Sequence, residues 1–168
     1  MTINILNIIH DTTVDGPGFR TSLYCAGCRH ECPGCHNPQS WSFDNGQPME
    51  IEALYDEVMS DEFADVTFSG GDPLYQAPAF AQLAKMIKEN STKTIWCYTG
   101  FLFETLLHQE GAMQLLQHID VLVDGPFVMS LRDTDLLFRG SSNQRIIDVQ
   151  ASLKQGETVL WEEPDFEL

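Results

Sequence analysis

Apolar residues fall into short runs separated by glycine-rich turns along most of the chain. Ile3, Ile5, Leu6, Ile8 and Ile9 make the first run, a turn-rich stretch follows from His10 to Gly18, and Phe19 to Cys25 alternates with the two-residue period of a strand. Both apolar segments are predicted as strands. Asn45-Gly46 and Pro48 mark a loop, after which Ile51, Leu54, Tyr55 and Val58 recur at i, i+3, i+4 and i+7, the period of a helix of about three turns. Val66-Thr67-Phe68-Ser69 reads as a strand broken by Gly70-Gly71-Asp72-Pro73, and Phe80, Leu83, Ala84 and Ile87 give the next helix one apolar face. The unit then repeats. Thr94 to Tyr98 is a strand turned by Gly100, Phe101 to Leu107 a helix with Phe101, Phe103, Leu106 and Leu107 as core, and Ile119 to Val123 a strand turned by Asp124-Gly125-Pro126.

Strands alternating with amphipathic helices indicate an α/β fold of parallel βαβ units, whose reactive loops follow the C-terminal ends of the strands. The cysteine-rich segment, Gly70-Gly71, Gly100 and Gly125 all take such positions, so they should gather on one rim. No internal repeat or low-complexity segment interrupts the pattern. At 168 residues, against roughly 150 per domain, the chain is expected to form a single domain over residues 1–149. Residues 150–168, ending in Trp161-Glu162-Glu163-Pro164-Asp165-Phe166-Glu167-Leu168, read as an acidic and aromatic tail, a candidate partner-docking arm.

Composition narrows the function. With 43% hydrophobic and 10% aromatic residues the chain supports an ordinary soluble core. Nine Lys and Arg against 25 Asp and Glu give a net charge of −16, which argues against phosphate-backbone binding and so against nucleic acid as a partner. No apolar run is long enough to span a membrane, and MTINILNIIHDTT lacks the basic region and cleavage site of a secretory signal, so a cytoplasmic protein is expected. Four of the five cysteines lie within residues 25–35, too close together for a secreted disulfide framework and better suited to a metal or redox cofactor.

The segment Cys25-Ala26-Gly27-Cys28-Arg29-His30-Glu31-Cys32-Pro33-Gly34-Cys35-His36-Asn37 admits two readings. Four cysteines closing a tetrahedral zinc site would be cramped, because zinc ribbons and fingers separate their pairs by a dozen or more residues and here only three intervene. The other reading takes Cys28, Cys32 and Cys35 as CxxxCxxC, three thiolates suited to three irons of a [4Fe-4S] cube, with the fourth iron open to a small molecule. Cys25, by strand alternation, and Cys97, in an apolar strand, read as small core residues.

CxxxCxxC resembles the signature of the radical S-adenosylmethionine (radical SAM) enzymes. Further motifs, in order, are similar to the activating proteins of anaerobic ribonucleoside-triphosphate reductases: GPGFR at Gly16 to Arg20, CPGCHN, SGGDP at Ser69 to Pro73, VDG at Val123 to Gly125, and RGSSNQ at Arg139 to Gln144. The resemblance covers roughly residues 7–148. It implies an incomplete (βα) barrel of the radical SAM type, with parallel strands and outer helices. It implies a [4Fe-4S] cluster on Cys28, Cys32 and Cys35 and SAM as second cofactor, cleaved to methionine and a 5′-deoxyadenosyl radical that takes hydrogen from a glycine of the reductase. The implied SAM-binding residues are Gly34, Cys35, His36, Asn37, Gly70, Gly71 and Asp72, the last accepting from the ligand ammonium, with Thr99 and Asp124 as further candidates. Arg20, Arg139, Asn143 and Gln144 are candidate contacts to SAM or partner. The implied partners are the large subunit of the reductase and an external low-potential electron donor, flavodoxin-like or ferredoxin-like. No side chain is needed as general base, since hydrogen-atom transfer depends on orientation, and His10, His108 and His118 receive no role.

Two positions depart from the wider family. Gly34 stands where an aromatic residue usually precedes the third cysteine, which leaves the adenine contact to backbone or to a neighbour such as His36. Cys97-Tyr98-Thr99-Gly100 replaces an Asp-Thr-Asn-Gly type turn, a departure that bears on any cation site built on that Asp. The alternatives are another small radical SAM enzyme, either a different glycyl-radical activase or a 7-carboxy-7-deazaguanine synthase, and a non-catalytic iron–sulfur or zinc module.

Overall fold

A computed structural model of the chain describes residues 1–35 and 38–163. Among these residues seven strands form one sheet: β1 (Thr2–Thr12), β2 (Arg20–Cys25), β3 (Gln47–Glu50), β4 (Asp65–Gly70), β5 (Ile95–Tyr98), β6 (Val121–Asp124) and β7 (Arg145–Asp148), in the order β3-β1-β2-β4-β5-β6-β7. The four central strands β2, β4, β5 and β6 are parallel, as the alternation of strands and helices predicts. The expectation of parallel strands stops there, because β1, β3 and β7 join antiparallel. β1 and β2 need only a short connection to pair in this way, whereas parallel pairing demands a crossover.

Among the described residues five α-helices complete the fold: α1 (Ile51–Met59), α2 (Ala77–Asn90), α3 (Phe103–Leu106), α4 (Glu110–Leu116) and α5 (Val149–Gln155). The stripes on α1 and α2 that periodicity identifies are buried, through Ile51, Leu54 and Val58 on the first and Phe80, Leu83, Ala84 and Ile87 on the second. They pack on one face of the sheet against Leu23, Val66, Phe68, Ile95, Cys97 and Leu122. The helix expected over residues 101–107 is shorter than its pattern. It begins at Phe103, whose amide is held by the Asp124 carboxylate at 2.8 Å.

The opposite face of the sheet carries Trp96, Val121 and Val123, with Tyr98, Ile146, Phe138 and Trp161 against them. Trp161 meets Trp96 edge to face, with ring centroids 5.0 Å apart. The arm expected from residue 150 is therefore partly built into the fold. Residues 150–155 continue α5, which Asp148 caps by accepting from the Ala151 amide at 3.1 Å. Beyond it, the Asp148 amide donates to the Val159 carbonyl and the Trp161 amide to the Ile146 carbonyl, both at 2.9 Å, so the chain returns along β7. Residues 164–168 of the expected arm lie outside the described residues.

Candidate active site

The parallel strands end on a common rim, and the loops leaving them enclose a cleft of about 510 Å³. Cys28, Cys32 and Cys35 line it from the loop after β2, Ser69, Gly70 and Gly71 from the end of β4, and Thr99 and Gly100 from the end of β5. The loop after β6 supplies Gly125, Phe127, Phe138, Arg139 and Gln144. The gathering expected on one rim is thus observed. A second cavity of about 480 Å³ adjoins it and shares Asp15, Ser69 and Gly70 with the first.

The cysteine loop is tied to β4 through backbone. The Gly71 amide donates to the Cys25 carbonyl at 2.7 Å and the Asp72 amide to the Gly27 carbonyl at 2.9 Å. A Cβ on Gly71 would lie 2.5 Å from the Gly27 oxygen, and one on Gly70, whose φ is +102°, 2.3 Å from the Cys25 nitrogen. The glycine pair is thus demanded by contact with the cysteine loop itself. No disulfide involves any of the five cysteines. Cys28, Cys32 and Cys35 are half-buried along the cleft, while Cys25 and Cys97 are buried in the helix-side core, as strand alternation predicts. Burial pushes the Cys28 thiol up to about 11, against the backbone groups of His30 and Glu31 that pull it down. Among the described residues no three His, Cys, Asp or Glu side chains converge as ligands of one metal ion.

Asp72 is fully buried and its carboxylate is occupied by the protein. Oδ2 accepts from His30 Nε2 at 2.7 Å, from Thr99 Oγ1 at 2.9 Å and from the Gly100 amide at 2.9 Å, and Oδ1 accepts from the Leu74 amide at 3.0 Å. The ammonium contact expected of it has no exposed oxygen to use. Instead Asp72 joins three rim segments, with Thr99 as one of its donors rather than a side chain directed at a ligand. His30 is the residue that sequence reasoning missed. It sits between Phe101, 4.5 Å away edge to face, and Tyr75, 5.6 Å away, and its place between Cys28 and Cys32 was the available signal.

Arg20 is corrected outright. It lies at the start of β2, the end of the sheet remote from the cleft, and is fully buried. Its guanidinium donates to Thr67 Oγ1 and to the carbonyls of Pro17, Val66 and Thr94, and it stacks on Trp96 with 5.7 Å to the ring centroid. Burial lowers its pKa to about 10, with Asp65 opposing, so it stays cationic at neutral pH. Asp124 is likewise internal. It is fully buried, accepts from Arg145 Nε at 3.0 Å and Nη2 at 2.5 Å, and holds the first amide of α3. Neither carboxylate nor guanidinium is presented to a ligand.

RGSSNQ closes the loop after β6. Gln144 Oε1 accepts from the Gly140 and Ser141 amides, its Nε2 donates to the Gly125 carbonyl, and Asn143 Nδ2 donates to the Pro126 carbonyl. Asn143 and Gln144 are thus loop-building, although Gln144 also borders the cleft. Gly34 has a φ of +76°, and a Cβ there would lie 2.4 Å from Met129 Cε, so Met129 fills the space that a side chain at residue 34 would need. His36 and Asn37 lie outside the described residues.

The chain matches the family described as a 4Fe-4S single cluster domain over residues 14–147. The anaerobic ribonucleoside-triphosphate reductase-activating protein of Escherichia coli (strain K12) is 41% identical over 140 residues, covering 78% of this chain and 89% of the relative. The protein of that name from Haemophilus influenzae is 36% identical over 160 residues, covering 86% and 97%, and that from Enterobacteria phage T4 is 34% identical over 139 residues, covering 79% and 86%. Among solved structures, QueE from Escherichia coli superposes with a TM-score of 0.53 at 15% identity, over 74% of this chain and 70% of that one, which is a likeness of fold.

Proposed function

The chain belongs to the family of anaerobic ribonucleoside-triphosphate reductase-activating proteins, and on that premise we propose that it activates such a reductase by radical SAM chemistry in the cleft at the strand ends. A [4Fe-4S] cluster, when bound and reduced, supplies the electron that splits S-adenosylmethionine into methionine and a 5′-deoxyadenosyl radical able to take a hydrogen atom from a glycine of the reductase. The observation that carries the reading is the placement of Cys28, Cys32 and Cys35 along one cleft that also receives the Gly70-Gly71 end of β4. Three soft thiolates leave one iron of a four-iron cluster for the methionine end of SAM.

Each side chain then has a task short of the chemistry. The Asp72 clasp on His30, Thr99 and Gly100 holds the cysteine loop against β4 and β5. Phe127, Leu136 and Phe138 give the β6 side of the cleft an apolar wall that excludes water from a reactive carbon radical. Tyr98 donates its O–H to the Phe138 carbonyl at 2.8 Å and Tyr24 donates to Asp15, so the two phenols beside the cavities hold their hydrogens in hydrogen bonds. The adjoining cavity leaves room for a glycine-bearing segment of the reductase beside the ligand. Gly34, Cys35, His36 and Asn37 are proposed to meet SAM from the cysteine loop.

Around the sheet, we read the parallel core β2-β4-β5-β6 as the remnant of a radical SAM barrel, which the likeness to QueE supports. The partner is the reductase large subunit, the electron comes from a flavodoxin-like or ferredoxin-like donor, and the place of action is the cytoplasm. No helix among the described residues is long and apolar enough to cross a membrane. The test is 5′-deoxyadenosine formation from SAM by anaerobically reconstituted protein under a strong reductant, with Cys28→Ala in parallel. Product that vanishes in the variant supports the reading. A loaded cluster that yields no product, with or without the reductase, overturns it in favour of an electron carrier.

A further inference from the structure

We propose that the open edge of β1, over Leu6 to His10, takes the glycine-bearing segment of the reductase as an added β-strand, a mode of recognition that rests on the reading above. β1 runs from Thr2 to Thr12, yet β3 pairs only with Thr2 to Ile5. From Leu6 onward the outer edge of β1 meets no strand among the described residues, while β2 holds its inner edge. The other borders of the sheet are protected. Residues 159–161 run along β7 through a bridge between Ile147 and Leu160, and β3 is four residues long with Pro48 and Glu50 in it. Covering segments, short strands, proline and charge are the means by which a sheet avoids unwanted pairing. Leu6 to His10 carries neither proline nor acid.

The Ile8 amide marks the edge as free to pair. It donates to Asn7 Oδ1 at 2.9 Å, so a side-chain oxygen of the preceding residue stands where a neighbouring strand would put its carbonyl. That bond is local and exposed, and exchanging it for the carbonyl of an incoming strand leaves no backbone donor unpaired. Pairing stops at Asp11, where a φ of +59° and a shift of register between Ile9 and Thr12 bend the strand. The stretch from Leu6 to His10 is about 17 Å long, enough for one short partner strand.

The edge also lies where the reaction needs the segment. Leu6, Asn7 and Ile9 line the second cavity, which meets the cysteine cleft at Asp15, Ser69 and Gly70. Ile9 is 42% exposed and Val14, on the wall of the cleft, 72%, apolar surface that an incoming strand covers. A glycine has no side chain to recognise, so a site that selects one reads backbone, and a sheet edge offers backbone groups at a fixed spacing. The two-residue period of a strand then turns the glycine to the cavity and its immediate neighbours away. Charge decides between occupants. A second copy would bring another net charge of −16 against Asp11, Asp15 and Glu57, which stand around this edge, whereas a neutral or basic segment meets no such repulsion.

The test is anaerobic titration calorimetry of cluster- and SAM-loaded protein with a synthetic peptide covering the glycine segment of the reductase, and with the same peptide N-methylated at one backbone amide at a time. Each methyl removes a donor and blocks pairing on that side, so losses of about 10-fold at alternate positions, with little effect between them, are expected. This series uses wild-type protein and does not depend on the folding of a variant. Ile8→Pro removes the matching donor on β1, whose amide is engaged by Asn7. It should weaken the unmodified peptide about 10-fold, while SAM cleavage without the reductase stays at the wild-type rate. Losses without alternation, no loss at any position, or unchanged affinity in Ile8→Pro would overturn strand addition. So would wild-type protein that cleaves SAM yet binds no form of the peptide. A change in the sedimentation of the chain alone on Ile8→Pro would assign the edge to a second copy instead. Wild type that does not cleave SAM would overturn the reading of the cleft, and the proposal with it.

Discussion

Replacing Asp72 by Asn tests the clasp that joins the cysteine loop to the strand ends. Four donors converge on this buried carboxylate, three of them on Oδ2. An amide can place its oxygen toward only one side. With oxygen facing His30, Thr99 and Gly100, the new NH₂ meets the Leu74 amide, donor against donor. With the amide reversed, three donors lose their acceptor. The better arrangement still loses one hydrogen bond to a charged acceptor, about 1.5–3 kcal/mol, and strands a buried donor pair at about 1–3 kcal/mol, so a cost of about 3–5 kcal/mol is expected. Thr99→Val removes one of the four donors and is expected to cost about 1–2 kcal/mol. The measurement is anaerobic urea unfolding of the reduced, metal-free chain, with the midpoint falling at unchanged slope. Iron content after reconstitution should fall in the same order, Asp72→Asn below Thr99→Val below wild type. An Asp72→Asn midpoint that reports a loss under about 1 kcal/mol would refute the clasp.

Further substitutions separate the remaining claims. Glu104 is held down to about 2 by its hydrogen bonds from Arg145. Its folded pKa is depressed, so its contribution to stability is present above the ordinary value near 4.5 and lost as pH falls toward 2. Glu104 is half-exposed and solvent screening keeps that contribution to about 1 kcal/mol or less, so the stability gap between wild type and Glu104→Gln in acid unfolding should close over that window. Arg20→Met is expected to cost about 2–4 kcal/mol by removing the guanidinium's hydrogen bonds to Thr67 Oγ1 and to the carbonyls of Pro17, Val66 and Thr94, while SAM affinity of the folded fraction, read by anaerobic titration calorimetry, stays at the wild-type value. Truncation after residue 157 should expose Trp96 and lower the melting temperature, whereas truncation after residue 163 should not; equal loss in both would show that residues 164–168 carry the support.

What was legible in the sequence follows from how far apart the interacting residues lie. The parallel core could be read because buried strands appear as continuous apolar runs ending in glycine, as at Val66 to Gly71. β3 could not, since Gln47–Glu50 is an edge strand, mostly exposed, and contains a proline that only an edge tolerates. β7, at four residues, and α4, with no side-chain cap, carry too little pattern to separate from loop. The cysteine spacing is local and so could be read. The fates of Arg20, Asp72 and Asp124 could not, because the partners that absorb them, Val66 and Thr94, Thr99 and Gly100, and Arg145, lie 21 to 74 residues away. A polar residue in a motif looks alike whether it faces a ligand or closes a loop.

The glycine pair and the cysteine spacing turn out to be one requirement. β2 and β4 pair in register with Cys25 opposite Gly70, and this places Cys25 on the helix side of the sheet, where burial pushes its thiol well above the ordinary range. Cys97 on β5 is held in the same way and also raised by burial. A slip of one residue would exchange the faces and bring Cys25 toward the cleft, as a fourth thiol beside the three on the loop. The close approach of Gly70 and Gly71 to the backbone of residues 25–27 leaves no space for any side chain at that point and resists such a slip. Gly71→Ala should therefore disturb both the strand end and the loop geometry. We expect lower iron occupancy in this variant and a gain in Cys25 alkylation by a thiol reagent, read by mass spectrometry. Unchanged Cys25 protection together with full iron loading would separate the glycine pair from the cysteine loop.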